Sequence, residues 1–155
     1  MEINIPGTGT VNITNIILDY NGTIAVDGIL IPGVQDILNE LSGNLDIHIV
    51  TADTFGMAGS ELADVKCRFA VLGPENQSQA KLEYLMETGA DRTACIGNGK
   101  NDRFMLRESA LGIAVIQAEG AFTETVMSSD IVCTDIFSAL DFFRKPKRLI
   151  ATMRD

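Results

Sequence analysis

Several features that would tie a chain to the outside of the cell, to a membrane or to a nucleic acid are missing here. Of the 155 residues only three are cysteine, Cys67, Cys95 and Cys133. They stand far apart in apolar runs, their number is odd, and no CxxC spacing occurs, so neither a disulfide framework nor a zinc site is indicated. They read as small buried thiols in a reducing, cytoplasmic setting. No basic segment followed by an apolar stretch is present, so no signal peptide is expected. No uninterrupted apolar run reaches the length of a membrane span, so no membrane partner is expected either. Positive charge is scarce: 12 Lys and Arg stand against 21 Asp and Glu, a net charge of −9. A chain this acidic is a poor partner for polyanionic nucleic acid unless its cations are gathered in one place. They are gathered once, as Arg144, Lys145, Lys147, Arg148 and Arg154. That cluster reads as the solvated end of a last helix, whose C-terminal dipole suits cations. The competing reading is a docking surface for an acidic partner or a neighbouring subunit. The one histidine, His48, sits in the alternating run Asp46-Ile47-His48-Ile49-Val50 and reads as a strand residue with a satisfied ring rather than a catalyst. Repeats, low-complexity segments and long linkers are absent.

What is present is a globular balance of 46% apolar and 21% charged residues, in a length that suits a single domain over 1–155 with a full core of its own. Short apolar runs alternate with segments of helical length. Asn15 to Asp19 is continuous and β-branched, as a buried strand is. A leading piece, Glu2 to Ile5, turns at Pro6-Gly7-Thr8-Gly9 and is expected to pair with the segment from Val11. Asp27-Gly28 between Ile24-Ala25-Val26 and Ile29-Leu30-Ile31 predicts a hairpin, because such a turn needs positive φ at both central residues. Helices are predicted with Val34, Ile37, Leu38 and Leu41 on one face, over 54–63, 77–88, 102–109, 121–128 and 135–143, and one further turn from Pro146. Strands are predicted at 47–50, 69–72, 93–96, 111–115 and 131–133. This alternation predicts an α/β fold, a Rossmann-like three-layer sandwich with a mainly parallel central sheet, which binds ligands at the carboxyl ends of its strands.

The residues just after those strands are the ones that carry chemistry. The first strand ends in Asp19-Tyr20-Asn21-Gly22-Thr23, the next in Thr51, and a later one in Gly97-Asn98-Gly99-Lys100-Asn101-Asp102. Lys81 lies in the helix between. A carboxylate, a hydroxyl, an ammonium and a second carboxylate can thus converge on one rim. Such a set suits phosphoryl transfer to a carboxylate, which splits one hard substitution into two easier ones. Charge spread over the phosphoryl oxygens calls for donors and cations around it. Magnesium, which takes oxygen ligands and keeps several waters, suits two carboxylates beside a Gly-rich turn.

These segments resemble the motifs of the haloacid dehalogenase-like superfamily. Its DxDGT motif is matched by Asp19-Tyr20-Asn21-Gly22-Thr23, its Ser or Thr after a strand by Thr51, its lysine by Lys81, and its GDGxNDxxML motif by Gly97 to Leu106. Ala110-Leu111-Gly112-Ile113-Ala114-Val115 and Ser129-Asp130-Ile131-Val132 resemble later segments of P-type ATPase phosphorylation domains. The likeness extends from about residue 13 to 143, with soluble P-type-ATPase-like proteins and small phosphatases of the 3-deoxy-octulosonate 8-phosphate kind as the nearest types. The resemblance implies Asp19 as nucleophile and metal ligand, Asn21 offering its carbonyl to Mg2+, and Asn98 and Asp102 completing the metal set. It implies a phosphate site of Gly22, Thr51, Ala52 and Lys81, with Asp19, Asn21, Thr51 and Lys81 as the catalytic group. The substrate class it implies is a small phosphorylated metabolite or an acyl phosphate.

Two positions depart from the pattern. Asn21 stands where phosphatases of the superfamily carry an aspartate that protonates the leaving group and then activates water. An amide does neither, and such help is worth roughly 100- to 10,000-fold. Asn98 also replaces an aspartate, so the metal site loses two negative charges and should bind magnesium more weakly. Three readings follow: a slow phosphatase acting through an aspartyl phosphate, a phosphate-binding or phosphoacceptor module with little turnover, and an interaction protein with a vestigial site. A receiver domain of the same broad fold class is disfavoured, since no acidic pair precedes the phosphoacceptor strand. The segments 24–46 and 52–80 are too short for an inserted lid, so a capless core with a hairpin flap is expected, and with it a homo-oligomer such as a tetramer in which a neighbour covers the site.

Overall fold

The computed structural model describes residues 1–52 and 56–155. The chain opens on an antiparallel ribbon, β1 (Glu2–Ile5) and β2 (Gly9–Asn12), joined at the predicted turn but paired from Gly9 rather than Val11. Strand β3 (Asn15–Leu18) is buried at every position, as a strand covered on both faces must be. The hairpin follows as β4 (Ala25–Val26) and β5 (Ile29–Leu30), with Asp27 at φ 51° and Gly28 at φ 82°. Helix α1 (Val34–Leu41) buries Val34, Leu38 and Leu41. Next come β6 (Asp46–Thr51), α2 (Ala58–Glu61), β7 (Arg68–Val71), α3 (Gln77–Thr88) and β8 (Thr93–Gly97). A 3-10 turn over Lys100–Asp102 leads into α4 (Arg103–Glu108), so the helix expected from Asp102 starts one residue later. The chain closes with β9 (Leu111–Val115), α5 (Thr123–Met127), β10 (Ile131–Cys133), α6 (Ile136–Arg144) and α7 (Pro146–Met153).

Three expectations need adjusting. The helix predicted over 54–63 is α2 alone in the described residues; its expected start at Thr54 and Phe55 lies outside them. The turn expected after Pro146 is a full eight-residue helix, because proline is favoured in a first helical turn and Leu149 is buried against the core. Asp135, expected inside α6, is its cap instead: its Oδ1 accepts from the Ser138 amide at 2.8 Å.

Six strands form one sheet in the order β10-β9-β8-β3-β6-β7, and every neighbouring pair is parallel. Alternate residues feed opposite faces. Ile16, Leu18, Ile47, Ile49, Ile96 and Ile113 pack with Leu38 of α1, Leu140 of α6 and Leu149 of α7. Ile17, Val50, Cys95 and Ala114 pack with Leu85 of α3 and with Met105 and Leu106 of α4. The result is the three-layer sandwich, and among the described residues no cap is inserted: the hairpin stands between β3 and α1, and α2 and β7 stand between β6 and α3. The chain leaves β3 toward β6 and β7 on one side, then returns to β8 on the other. That reversal opens a crevice at the carboxyl ends of β3 and β8.

Two side-chain expectations resolve here. His48 is buried in β6 opposite Ile17, on the α3 face, and its Nδ1 lies 2.9 Å from the Tyr84 hydroxyl. Its Nε2 has no partner among the described residues, so the ring is satisfied at one nitrogen only. Burial, with the nearby Arg68 charge, lowers the ring's pKa and favours neutral imidazole. In the basic cluster, Arg144, Lys145 and Arg148 converge on Asp141 at 3.1, 2.8 and 2.8 Å, and Arg144 also reaches Glu40 at 3.0 Å. Three of its five cations are thus paired within the chain. No helix among the described residues is long and apolar enough to cross a membrane.

Candidate active site

The loop after β3 is held by its own backbone. Asp19 donates its amide to the Ile96 carbonyl at 3.0 Å, and the Tyr20 carbonyl accepts from the amides of Thr23, Ile24 and Ala25 at 3.2, 3.0 and 2.9 Å. The buried Tyr20 hydroxyl donates to the Gly28 carbonyl at 2.9 Å, which ties the hairpin to the loop. Gly22 has φ 80°, and a Cβ there would come within 2.2 Å of Asn98 Nδ2. Only glycine lets the two loops meet this closely.

The loop after β8 is organised by Asp102, which has no exposed surface. Its Oδ2 accepts from the amides of Asn98 and Gly99 at 3.0 and 2.8 Å. Its Oδ1 accepts from Lys81 Nζ at 2.6 Å. A Cβ on Gly97 would fall 2.5 Å from Asp102 Cγ, so this glycine makes room for the carboxylate. Lys81, buried in α3, donates from the same ammonium to Asp19 Oδ1. The Thr23 hydroxyl lies 3.3 Å from Asp19 Oδ2 and 3.1 Å from Asn98 Oδ1, joining the two loops a second time. Asn98 Nδ2 donates to the Gly120 carbonyl at 3.0 Å.

A cleft of about 180 Å³ opens over these residues. Asp19, Asn21, Thr51, Ala52 and Asn98 line it, together with Gln77, Gly99, Asn101 and Glu119. Lys81 and Asp102 lie behind Asp19, buried, and do not form its wall; Gly22 lies behind Asn98. The structure therefore brings all the sequence-derived site residues together, but on two levels. Asp102 in particular has both oxygens occupied, one by an ammonium and one by two amides.

Electrostatics follow from burial. Desolvation and the nearby Asp102 charge push the Asp19 carboxyl up to about 6, against the pull of Lys81. Burial works against the Lys81 ammonium, but Asp102 and Asp19 outweigh it and raise its pKa above the ordinary lysine value. Asn21 Oδ1 is a buried oxygen with no hydrogen-bond partner among the described residues. An unpartnered oxygen beside a carboxylate at a cleft wall is a donor that a hard cation would satisfy. Asp19, Asn21 and Asn98 make an oxygen-only set, so the residues fit magnesium better than a softer metal. No group of three or more His, Cys, Asp or Glu placed to hold a metal occurs among the described residues, so the amides would have to contribute.

Two polar residues of the site were not singled out from the sequence. Gln117 Nε2 donates to the carbonyls of Gly22 and Thr23 at 3.1 and 2.7 Å, and its Oε1 accepts from the Ile136 amide at 2.8 Å. Glu119 lines the cleft, and its Oε1 accepts from the Asp27 amide of the hairpin at 2.9 Å. Both follow β9 closely, and the rule that ligands gather at strand ends could have pointed to them.

Comparison with known proteins places this arrangement. No family model matches the chain. An uncharacterized protein of Methanocaldococcus jannaschii, MJ0073, is 46% identical over 80 residues, which is 49% of this chain and 86% of that protein. Among solved structures, the 3-deoxy-D-manno-octulosonate 8-phosphate phosphatase of Moraxella catarrhalis, in complex with a magnesium ion, phosphate and KDO, superposes with a TM-score of 0.67 at 19% identity, covering 92% of this chain and 94% of that one. The cobalt-bound deoxy-D-mannose-octulosonate 8-phosphate phosphatase of Haemophilus influenzae gives 0.68 at 16% identity, covering 93% and 94%. A phosphoserine phosphatase in apo form gives 0.67 at 13% identity, covering 84% and 99%. The chain belongs to one family with the Methanocaldococcus protein, and its fold, haloacid dehalogenase-like and without a cap among the described residues, is the one these solved structures share.

Proposed function

We propose that this protein is a magnesium-dependent phosphatase that works slowly through an aspartyl phosphate on Asp19. The observation that carries the reading is the buried ammonium of Lys81 shared between Asp19 and Asp102 at the reversal point of the sheet. A lysine so placed orients one carboxylate oxygen of Asp19 and leaves the other for attack on phosphorus. The solved structures of the same fold that carry magnesium or cobalt support a divalent cation. Magnesium, when bound, would neutralise phosphoryl charge and screen the nucleophile from its target. Asp19, Asn21 and Asn98 are its proposed ligands, with Asp102 acting through water because its own oxygens are engaged.

The residues divide the work. Asp19 forms the acyl phosphate as the ester bond breaks, and water later releases phosphate from it. Thr51 and the backbone at Ala52, which line the cleft, serve the phosphoryl oxygens; Lys81 acts from behind through Asp19, and Gly22, whose amide donates to the Ala25 carbonyl at 2.7 Å, shapes the loop and does not reach the cleft. Asn21 cannot protonate the leaving oxygen, so the first step leans on substrates with good leaving groups, such as acyl phosphates; nor can it activate the water, so release of phosphate from Asp19 is slow whatever the substrate. That same lack favours a second reading, a phosphate-binding or phosphoacceptor module in which phosphate stays on Asp19. The deciding measurement is phosphate release from a panel of esters and acyl phosphates with and without magnesium. Metal-dependent release by wild type, lost in Asp19→Ala and raised roughly 100-fold or more in Asn21→Asp, is expected. Release appearing only in Asn21→Asp would favour the second reading, and silence from all three proteins would remove the phosphatase and point to a binding protein.

The proposed partners are a small phosphorylated compound and a second copy of the chain in the cytoplasm. The hairpin presents Ile29 at 59% exposure beside the cleft, a surface a neighbouring subunit would cover. Light scattering should give an oligomer mass at assay concentration; a monomer mass would retire the idea.

A further inference from the structure

Next to the cleft lies a larger cavity of about 490 Å³. Gln77 and Asn101 line both spaces, and the hydrogen bond from Asn101 Nδ2 to Gln77 Oε1, 2.9 Å long, forms the divide. The two spaces differ in charge. The cleft holds the carboxylates of Asp19 and Glu119. Among the described residues the cavity is lined by Lys100 and Arg103 and by no carboxylate, although the chain's acids outnumber its bases 21 to 12.

Both cations are placed to receive an anion. Arg103 is pre-organised: its NH1 donates to Ser78 Oγ at 3.1 Å and to the Lys100 carbonyl at 2.6 Å, and its guanidinium stacks on Phe104 with 4.2 Å to the ring centroid. Among the described residues it pairs with Glu124, which is 3.7 Å from Nε and 68% exposed, a pair of little strength in water. Lys100 has no carboxylate within ion-pair distance among the described residues; its Nζ lies 5.6 Å over the Phe122 ring. A held guanidinium on the wall of one concave space, beside a lysine with no ion pair among the described residues, makes a site for phosphate or carboxylate. The uncapped start of α3 at Gln77 adds positive potential to the same wall.

We infer that this cavity is the leaving-group subsite, and that the substrate is a phosphate ester whose leaving group carries a second anionic group, a phosphate or a carboxylate. The inference rests on the phosphatase reading above. The transferred phosphoryl group sits over Asp19, the body of the substrate crosses the Asn101–Gln77 divide, and the second anion meets Lys100 and Arg103. Without a cap domain, this cavity is where the fold can select among phosphate esters.

The test uses probes that cannot be hydrolysed, because their carbon–phosphorus bonds survive. Calorimetry with magnesium would compare a chain-length series of alkane bisphosphonates and phosphonocarboxylates with alkylphosphonates of equal length. At the length that spans the divide, one or both two-headed series should bind about 10-fold tighter than the single-headed one, the measure of one charge-assisted contact. Whether bisphosphonate or phosphonocarboxylate leads identifies the second anion. The advantage should vanish in the double variant Lys100→Gln, Arg103→Gln. Equal affinity of one- and two-headed probes at every length, or an advantage that survives in the double variant, overturns the subsite while leaving the phosphate site standing. If wild type binds neither alkylphosphonates nor inorganic phosphate, the phosphatase reading itself fails and the subsite goes with it.

Discussion

At the amino end of the sheet, Asp46 and Arg68 meet at 4.0 Å with side chains 62% and 71% exposed. At the carboxyl end, Lys81 meets Asp19 and Asp102 with all three side chains 9% exposed or less. The two ends belong to the same strands, β6 among them, and to the same helix α3. Water screens the first pair, which leaves it nearly free of energetic consequence. The second set has lost its water, so the charges depend on one another, and removing the shared ammonium strands both carboxylates. A fold gains little stability from such a triad, since apolar residues of equal size would serve as well or better. Buried charges with shifted titration are instead concentrated where function needs them. The difference is one of water: the carboxyl end holds its charges desolvated and interdependent, and the amino end holds its charges solvated and independent.

That contrast can be broken in order of expected effect by urea unfolding in metal-free buffer. Lys81→Met should cost the most, roughly 3–5 kcal/mol, because two buried carboxylates lose their shared ammonium. A loss below about 1 kcal/mol would show that water reaches the triad. Asp19→Asn should have the opposite sign and a smaller size. The Asp19 carboxyl is raised from 3.8 to about 6 in the fold, so the folded state binds the extra proton between those values. Wild type should therefore gain stability as pH falls from about 6 toward 4 and carry the full penalty above 6. The Asn variant should be more stable than wild type by the order of 1–3 kcal/mol near pH 8, with the difference closing by pH 4. A difference that does not change with pH would contradict the raised carboxyl. Asp46→Ala should move stability by less than about 1 kcal/mol; a larger loss would mean that the amino end is also tightly coupled.

Much of this arrangement is legible in the sequence, for local reasons. The continuous apolar run before Asp19 and the Asp27-Gly28 pair each encode their own backbone, and both stand as expected in β3 and in the hairpin. The strand-end rule then collects Asp19, Thr51 and Asn98 at one rim without any knowledge of packing. Less legible are the residues whose role depends on a partner remote in the chain. Gln117 is an unremarked amide until the carbonyls of Gly22 and Thr23 are seen beneath it. Glu119 is one acid among many until the hairpin amide of Asp27 reaches it. His48 was expected to be fully satisfied because alternation shows which face a residue takes, not how many partners wait there.

By itself, then, the sequence determined the order of strands and helices, the hairpin, the lack of room for a cap and the set of groups that can share a rim. All of these follow from periodicity, turn chemistry and spacing, which act over a few residues. Tertiary structure alone decided the level at which each group sits. Lys81 lies 62 residues from Asp19 and 21 from Asp102, and only packing of α3 against β3 and β8 buries its ammonium between them. The same packing desolvates the Asp19 carboxyl and raises it against the pull of Lys81, while the amides of Asn98 and Gly99 engage Asp102; among the described residues, the buried Asn21 Oδ1 is left without a partner. Desolvation is a property of the assembled core, and no pattern along the chain specifies it.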